Sequence, residues 1–147
     1  MAPDEIKKKI ADYLTSHNKM TLATVTPDGR PLAHTVEYVS DGCTVYFGTL
    51  RTSRKAQNIL KTPHVSFAVD EDYADWMNIQ GVQMEGTASV LADPKELKIA
   101  GEMYARKFPA VASFPQNPDM IMVKVEPVAG FFLDYAKGFA HRDEACF

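Results

Sequence analysis

The period of apolar and polar positions changes several times along this chain, and each change marks an element. Ile6, Ile10, Tyr13 and Leu14 recur at spacings of three and four with lysines opposite. That is the pattern of an amphipathic helix over residues 4–17. From Met20 the period drops to two, and Met20-Thr-Leu-Ala-Thr-Val-Thr26 reads as a strand. Thr26-Pro-Asp-Gly29 is a turn, in which Pro27 presets φ and Gly29 accepts a left-handed exit. Pro31 to Val39 returns as a second strand. Asp41-Gly42 is a hairpin signal, and Cys43 to Thr49 alternates as a third strand. A helix over Thr52–Leu60 follows, with Ala56, Ile59 and Leu60 on one face and Thr62-Pro63 closing it.

His64 to Asp70 is a fourth strand. Residues 71–79 are acidic and aromatic, a loop or lid that carries Trp76. Val82 to Leu91 is a fifth strand, in which Gly86 marks a bulge or bend. Asp93 caps a third helix with Pro94 at its first position, and Leu97, Ala100, Tyr104 and Phe108 run down one face. A proline-bearing loop covers Phe108 to Pro118. Met120–Val125 and Gly130–Leu133 are the last strands, and an aromatic tail follows from Asp134. About seven short strands joined by hairpin-like steps, with three helices inserted, predict a mainly β, α+β fold built on an antiparallel barrel. No repeat or linker interrupts the 147 residues, so a single domain over 1–147 is expected.

Composition narrows the function. The net charge of −3 argues against a nucleic-acid binder, which carries a basic excess. No apolar run approaches the ~20 residues that span a bilayer, and the start lacks the apolar stretch of a signal peptide. A cytoplasmic protein with no membrane association is therefore expected. Two cysteines, Cys43 and Cys146, are too few for a disulfide framework and read as reduced thiols. The histidines and acids show no metal-ligand spacing, and no nucleophile elbow, Walker sequence or dinucleotide fingerprint is present. No catalytic side chain can be named.

One short stretch does carry chemistry. In Thr52-Ser-Arg-Lys-Ala-Gln-Asn-Ile59, Thr52 or Ser53 can serve as N-cap. Arg54 and Lys55 then sit in the first turn, where the helix dipole is already positive and cations cost a few tenths to ~1 kcal/mol. Either both side chains point into water, or an anion resolves the conflict. A phosphate suits a helix N-terminus with a free hydroxyl and two cations.

The surrounding order of segments resembles the pyridoxamine 5'-phosphate oxidase-like flavoproteins. The stretches that carry the resemblance are Met20–Val39 with its Pro-Asp-Gly-Arg-Pro turn, Val45–Thr49, Ser53-Arg-Lys-Ala-Gln-Asn-Ile59, Pro63–Val69 and Val82–Ala88. The resemblance implies a split β-barrel with flanking helices, FMN as cofactor, and a homodimer with the cofactor at the interface. It implies that Ser53, Arg54 and Lys55 hold the flavin phosphate. Gly48 and Thr49 would contact the ring or ribityl chain, and His34, Thr35, Val36 and Glu37 would lie along the isoalloxazine. Electrons would come from a nicotinamide or another small-molecule donor. The chain departs from the oxidase proper, with His34 where that enzyme has an arginine and Val39 where it has a lysine, so a smaller relative with an unknown substrate is expected. Tyr104 matches a substrate-contacting tyrosine. In the tail, Lys137 and Phe139 would close over the partner's flavin, or the tail docks on a barrel end. Trp76 would stack on the flavin or pack at the interface. The alternative is a non-catalytic protein that binds flavin, deazaflavin or haem for storage or electron transfer.

Overall fold

The strand Pro31–Val39 expected from the sequence is broken at one residue, and that break organises the molecule. The computed structural model describes residues 1–147. β1 (Lys19–Val25) and β2 (Pro31–Glu37) form an antiparallel hairpin in which Leu22 faces His34 and Thr24 faces Leu32. Its turn uses Gly29 at φ +88°. The chain then passes through Tyr38 into β3 (Val39–Asp41), which pairs with β4 (Thr44–Leu50). A single extended run thus pairs first with β1 on one side and then with β4 on the other. Tyr38 is fully buried at this corner, and its hydroxyl donates to the Leu14 carbonyl at 2.6 Å.

The other strands complete the circuit. All pairings are antiparallel, and the sheet order is β2-β1-β5-β6-β7-β4-β3, where β5 is His64–Val69, β6 Gln80–Val90 and β7 Met120–Asp134. β2 and β3 stand at the two ends of this order and are joined through Tyr38, so the sheet curls into a split barrel.

Two strands expected at Met120–Val125 and Gly130–Leu133 are one continuous β7. It crosses Pro127, a residue that cannot donate to a ladder, where it changes partners. Before that point β7 pairs with β4, and after it with β8 (Arg142–Cys146), a strand the sequence pattern does not announce. The register against β6 slips at Glu85/Gly86, which leaves Val128 as the extra residue of a bulge. The bulge expected at Gly86 is there. A Cβ on Gly86 would come within 2.6 Å of the Val125 side chain and 2.8 Å of the Glu126 carbonyl, so only glycine fits.

The helices cover what the barrel leaves open. α1 (Pro3–Ser16) buries Ile6, Ile10, Tyr13 and Leu14, the face its period predicts. These join Met20, Leu22, Phe47, Phe67, Met84 and Val123 in one core of 23 buried residues, each large side chain contributing roughly 1.5–3 kcal/mol. α3 (Pro94–Lys107) is anchored less deeply than its period suggests. Only Ala100 is buried, and Leu97 faces solvent. No helix is long and apolar enough to cross a membrane.

What α3 contributes is Tyr104. Its hydroxyl donates to the Glu37 carbonyl at 2.8 Å and accepts from the Gly48 N–H at 3.2 Å. Those two groups flank the split between β2 and β4, which no strand pairing satisfies. Burial pushes the phenol up to about 12. Lys107, one turn on, donates to the His17 carbonyl and sits 4.3 Å from the Tyr38 ring centroid. Tyr104→Phe removes the bridge and strands both backbone groups. We expect a loss of ~0.5–1.5 kcal/mol, the net worth of a partly exposed hydrogen bond, read from the urea midpoint at unchanged slope.

Candidate functional site

α2 (Arg54–Lys61) stands just beyond the end of β4, and its first turn is built as the sequence suggests. Of the two candidate caps, Ser53 serves. Its hydroxyl accepts from the Ala56 N–H at 3.2 Å. No acid occupies the first turn. Thr49, buried at the end of β4, places its hydroxyl 3.0 Å from that of Ser53. Lys55 reaches back to the Thr49 hydroxyl at 3.5 Å. Arg54 helps line a cavity of about 330 Å³ with Arg30 and Lys61, in which Pro27 is the only apolar residue and Asp28 the only acid. Asp28 is engaged by Arg30 at 3.2 Å. Neither Arg54 nor Lys55 has an ion-pair partner.

The buried side of α2 differs from the expected stripe. Ala56 and Ile59 are buried, but Leu60 is exposed and Asn58 is buried instead. Asn58 donates from Nδ2 to the Thr24 hydroxyl at 3.0 Å, and that hydroxyl lies 2.8 Å from His34 Nε2. His34 is thereby tied to α2 through β1. Burial holds its imidazole below the ordinary range, and the charges of Lys55 and Arg54 push it further down. Both influences disfavour protonation of His34.

The structure therefore brings together His34, Thr49, Ser53, Arg54 and Lys55. Thr24 and Asn58, which the sequence reading missed, connect them. The available signal was a polar residue, Asn58, on the inward side of a short helix, where a buried amide needs a partner. Thr35 and Glu37 point outward from β2, whereas Val36 is buried in the core. Strand register turns the Val36 backbone groups toward Met20 of β1, so the outward-facing main-chain groups of this stretch belong to Thr35 and Glu37. β2 is a sheet edge whose far side has no strand partner, although Tyr104 already holds the Glu37 carbonyl. The Gly48 N–H is already taken by Tyr104. Tyr104 itself is a bridge across the split.

Lys137 and Phe139 lie elsewhere. β7 runs from Met120, paired with Leu50 near α2, to Asp134, paired with Gln80. The tail turns at that far end. There Lys137 approaches Asp143 at 3.7 Å, and the Phe139 ring stacks with Trp76 at 6.5 Å between centroids. One chain alone does not bring these residues to α2. Both rings are widely exposed. No group of three histidine, cysteine or acidic residues gathers to hold a metal ion.

Comparison with known proteins agrees with this architecture. The chain is 27% identical over 127 residues to General stress protein 26 of Bacillus subtilis (strain 168), covering 86% of this chain and 87% of that one. A haem-binding protein from Mycobacterium smegmatis superposes with a TM-score of 0.82 at 20% identity, over 95% of this chain but only 57% of that chain, so this chain spans just over half its length. HutZ, the haem storage protein from Vibrio cholerae, superposes at 0.71 and 20% identity, over 86% of this chain and 91% of that one. At such identity these two structures speak for the fold alone. The family model for pyridoxamine 5'-phosphate oxidase matches residues 6–134, nearly the whole barrel. The chain belongs to that family.

Proposed function

We propose that this protein binds FMN, with the phosphate at the N-terminus of α2 and the ring along the open edge of β2, and that it is an FMN-dependent oxidoreductase. One observation carries the reading. Two cations without ion-pair partners occupy the positive end of a helix that has no acid in its first turn. A phosphomonoester brings about −1.5 to −2 charge and reverses that electrostatic conflict. Lys55 and Arg54 would give it charge-assisted hydrogen bonds, and His34, Thr49 and Ser53 hold further polar groups in the same cluster. The flavin, when bound, supplies the electron chemistry. The chain's own residues bind it, orient it and expose one ring face to a nicotinamide or other small donor.

A homodimer belongs to the same proposal. Lys137 and Phe139 sit at the far end of β7, so they can cover a flavin only in the site of a second copy. Light scattering of the purified protein should give twice the chain mass, and a monomer at micromolar concentration would sink this part.

The second reading is a non-catalytic protein that holds flavin, deazaflavin or haem. It is favoured by the haem-binding and haem storage functions named for two proteins of the same fold. An absorbance spectrum after adding FMN and removing the excess separates the two. Retained flavin bands that a nicotinamide or other small donor bleaches support the first reading. A Soret band on haem titration without retained flavin supports the second, and flavin that no donor reduces supports storage.

Replacing both Arg54 and Lys55 with alanine removes two charge-assisted contacts worth ~1.5–3 kcal/mol each. FMN affinity should fall by ~10²-fold or more, while apo stability stays level or rises as the dipole conflict is relieved. Unchanged affinity in a fluorescence titration would count against the phosphate site. His34 gives a pH prediction with a definite sign. Its folded-state pKa is lowered, so between that value and its unfolded value of ~6.5 the unfolded chain binds more protons. The contribution is therefore present above ~6.5 and lost as pH falls through the folded value. His34→Gln should flatten the acid side of the apo stability profile, and an unchanged slope there would contradict it.

A further inference from the structure

The Thr24 hydroxyl is fully buried and stands between two side chains. Asn58 Nδ2 can only donate, so Thr24 Oγ1 accepts from it at 3.0 Å. The Thr24 hydroxyl proton then needs an acceptor, because a buried donor left unpaired is costly. The only side-chain atom within reach is His34 Nε2 at 2.8 Å. That nitrogen must present its lone pair. In a neutral imidazole the proton then sits on Nδ1, which makes no hydrogen bond within the chain. If Nε2 carried the proton instead, the Thr24 hydroxyl would have two donors aimed at it and no acceptor for its own.

We infer that the buried Asn58–Thr24 pair locks His34 in the neutral Nδ1–H tautomer, so that the ring offers a fixed N–H donor to the anion that Arg54 and Lys55 attract. Asn58 and Thr24 are positioning residues, and His34 is the contact. The inference that an anion accepts from Nδ1 rests on the FMN reading, whereas the tautomer does not. The arrangement has a physical logic. The charged groups acting on the ring are Lys55 and Arg54, both from α2, and no carboxylate is among them. An imidazolium would add a third positive charge to an already self-repelling cluster and would break the Thr24 hydrogen bond. A neutral ring with its proton fixed on Nδ1 gives a phosphate oxygen a donor without either cost. It also rejects a ligand that presents a donor at that point.

The test is the two-bond proton–nitrogen correlation spectrum of the ¹⁵N-labelled full chain without flavin, at mildly alkaline pH. His34→Gln identifies the His34 signals among the four histidines. The expected result is an unprotonated, pyridine-type Nε2 and a protonated Nδ1. A protonated Nε2, or shifts averaged between the two tautomers, overturns the inference. Thr24→Val should collapse the pattern to averaged shifts and Thr24→Ser should keep it. A pattern that survives in Thr24→Val overturns the relay, and so does one lost in folded Thr24→Ser. FMN is then added. Movement of the Nδ1 signal with Nε2 unchanged supports the donor role, and bound flavin that leaves Nδ1 unmoved overturns it. A chain that retains no flavin overturns the cofactor reading instead, and the flavin-free spectrum still decides the tautomer.

Discussion

The change of pairing partner at Tyr38 is the constraint on which the rest of the molecule depends. An antiparallel sheet that curls must either close its ladder or leave an edge, and an open edge is a liability. Here a single extended run serves both ends of the sheet, pairing with β1 up to Glu37 and with β4 from Val39. Closure is thereby achieved at the corner but not along the length of β2. The split that remains leaves backbone groups of β2 and β4 without partners. One phenol from α3 satisfies a pair of them, and the rest of the β2 edge stays open. The proposed flavin ring would lie along this unpaired edge.

α2 follows from that corner as well. β4 ends at Leu50, and after a three-residue turn the chain enters a two-turn helix, Arg54–Lys61. A helix this short contributes little stability of its own. It is held by Ala56, Ile59 and the Asn58–Thr24 hydrogen bond. The unrelieved charge of Arg54 and Lys55 is a stability cost placed where an anion would offset it. Many cations of the chain stand without an ion pair, and what sets α2 apart is its first turn: α1 has Asp4 and Glu5 there, α3 has Glu96, and α2 has no acid.

Much of this was legible in the sequence because it is local. The helix cap at Ser53, the misplaced charges at Arg54 and Lys55, the turn at Gly29 and the bulge at Gly86 each follow from a few neighbouring residues. What escaped depends on contacts across the chain. The break at Tyr38 is invisible in a run of alternating residues, because it is imposed by the switch from β1 to β4. β7 looked like two strands because Pro127 interrupts the pattern, yet β6 carries it straight through. β8 was hidden in an aromatic tail with no alternation. Leu60 and Leu97 fall on apolar periods but face solvent, since α2 and α3 lie over the barrel surface and each presents only a narrow side to it. The Asn58–Thr24–His34 chain joins three elements, and no spacing rule predicts it.

The central claim is that the N-terminus of α2 is a phosphate site for a flavin. It is tested most directly by comparing the affinities of FMN and riboflavin, which differ only by that phosphate, in one calorimetric titration at fixed ionic strength. The account predicts FMN tighter by ~10²-fold or more, since the phosphate meets two charge-assisted contacts and the helix end, with the gap narrowing as salt rises. Equal affinities, or no binding of either, would mean that Arg54 and Lys55 serve something other than a flavin phosphate.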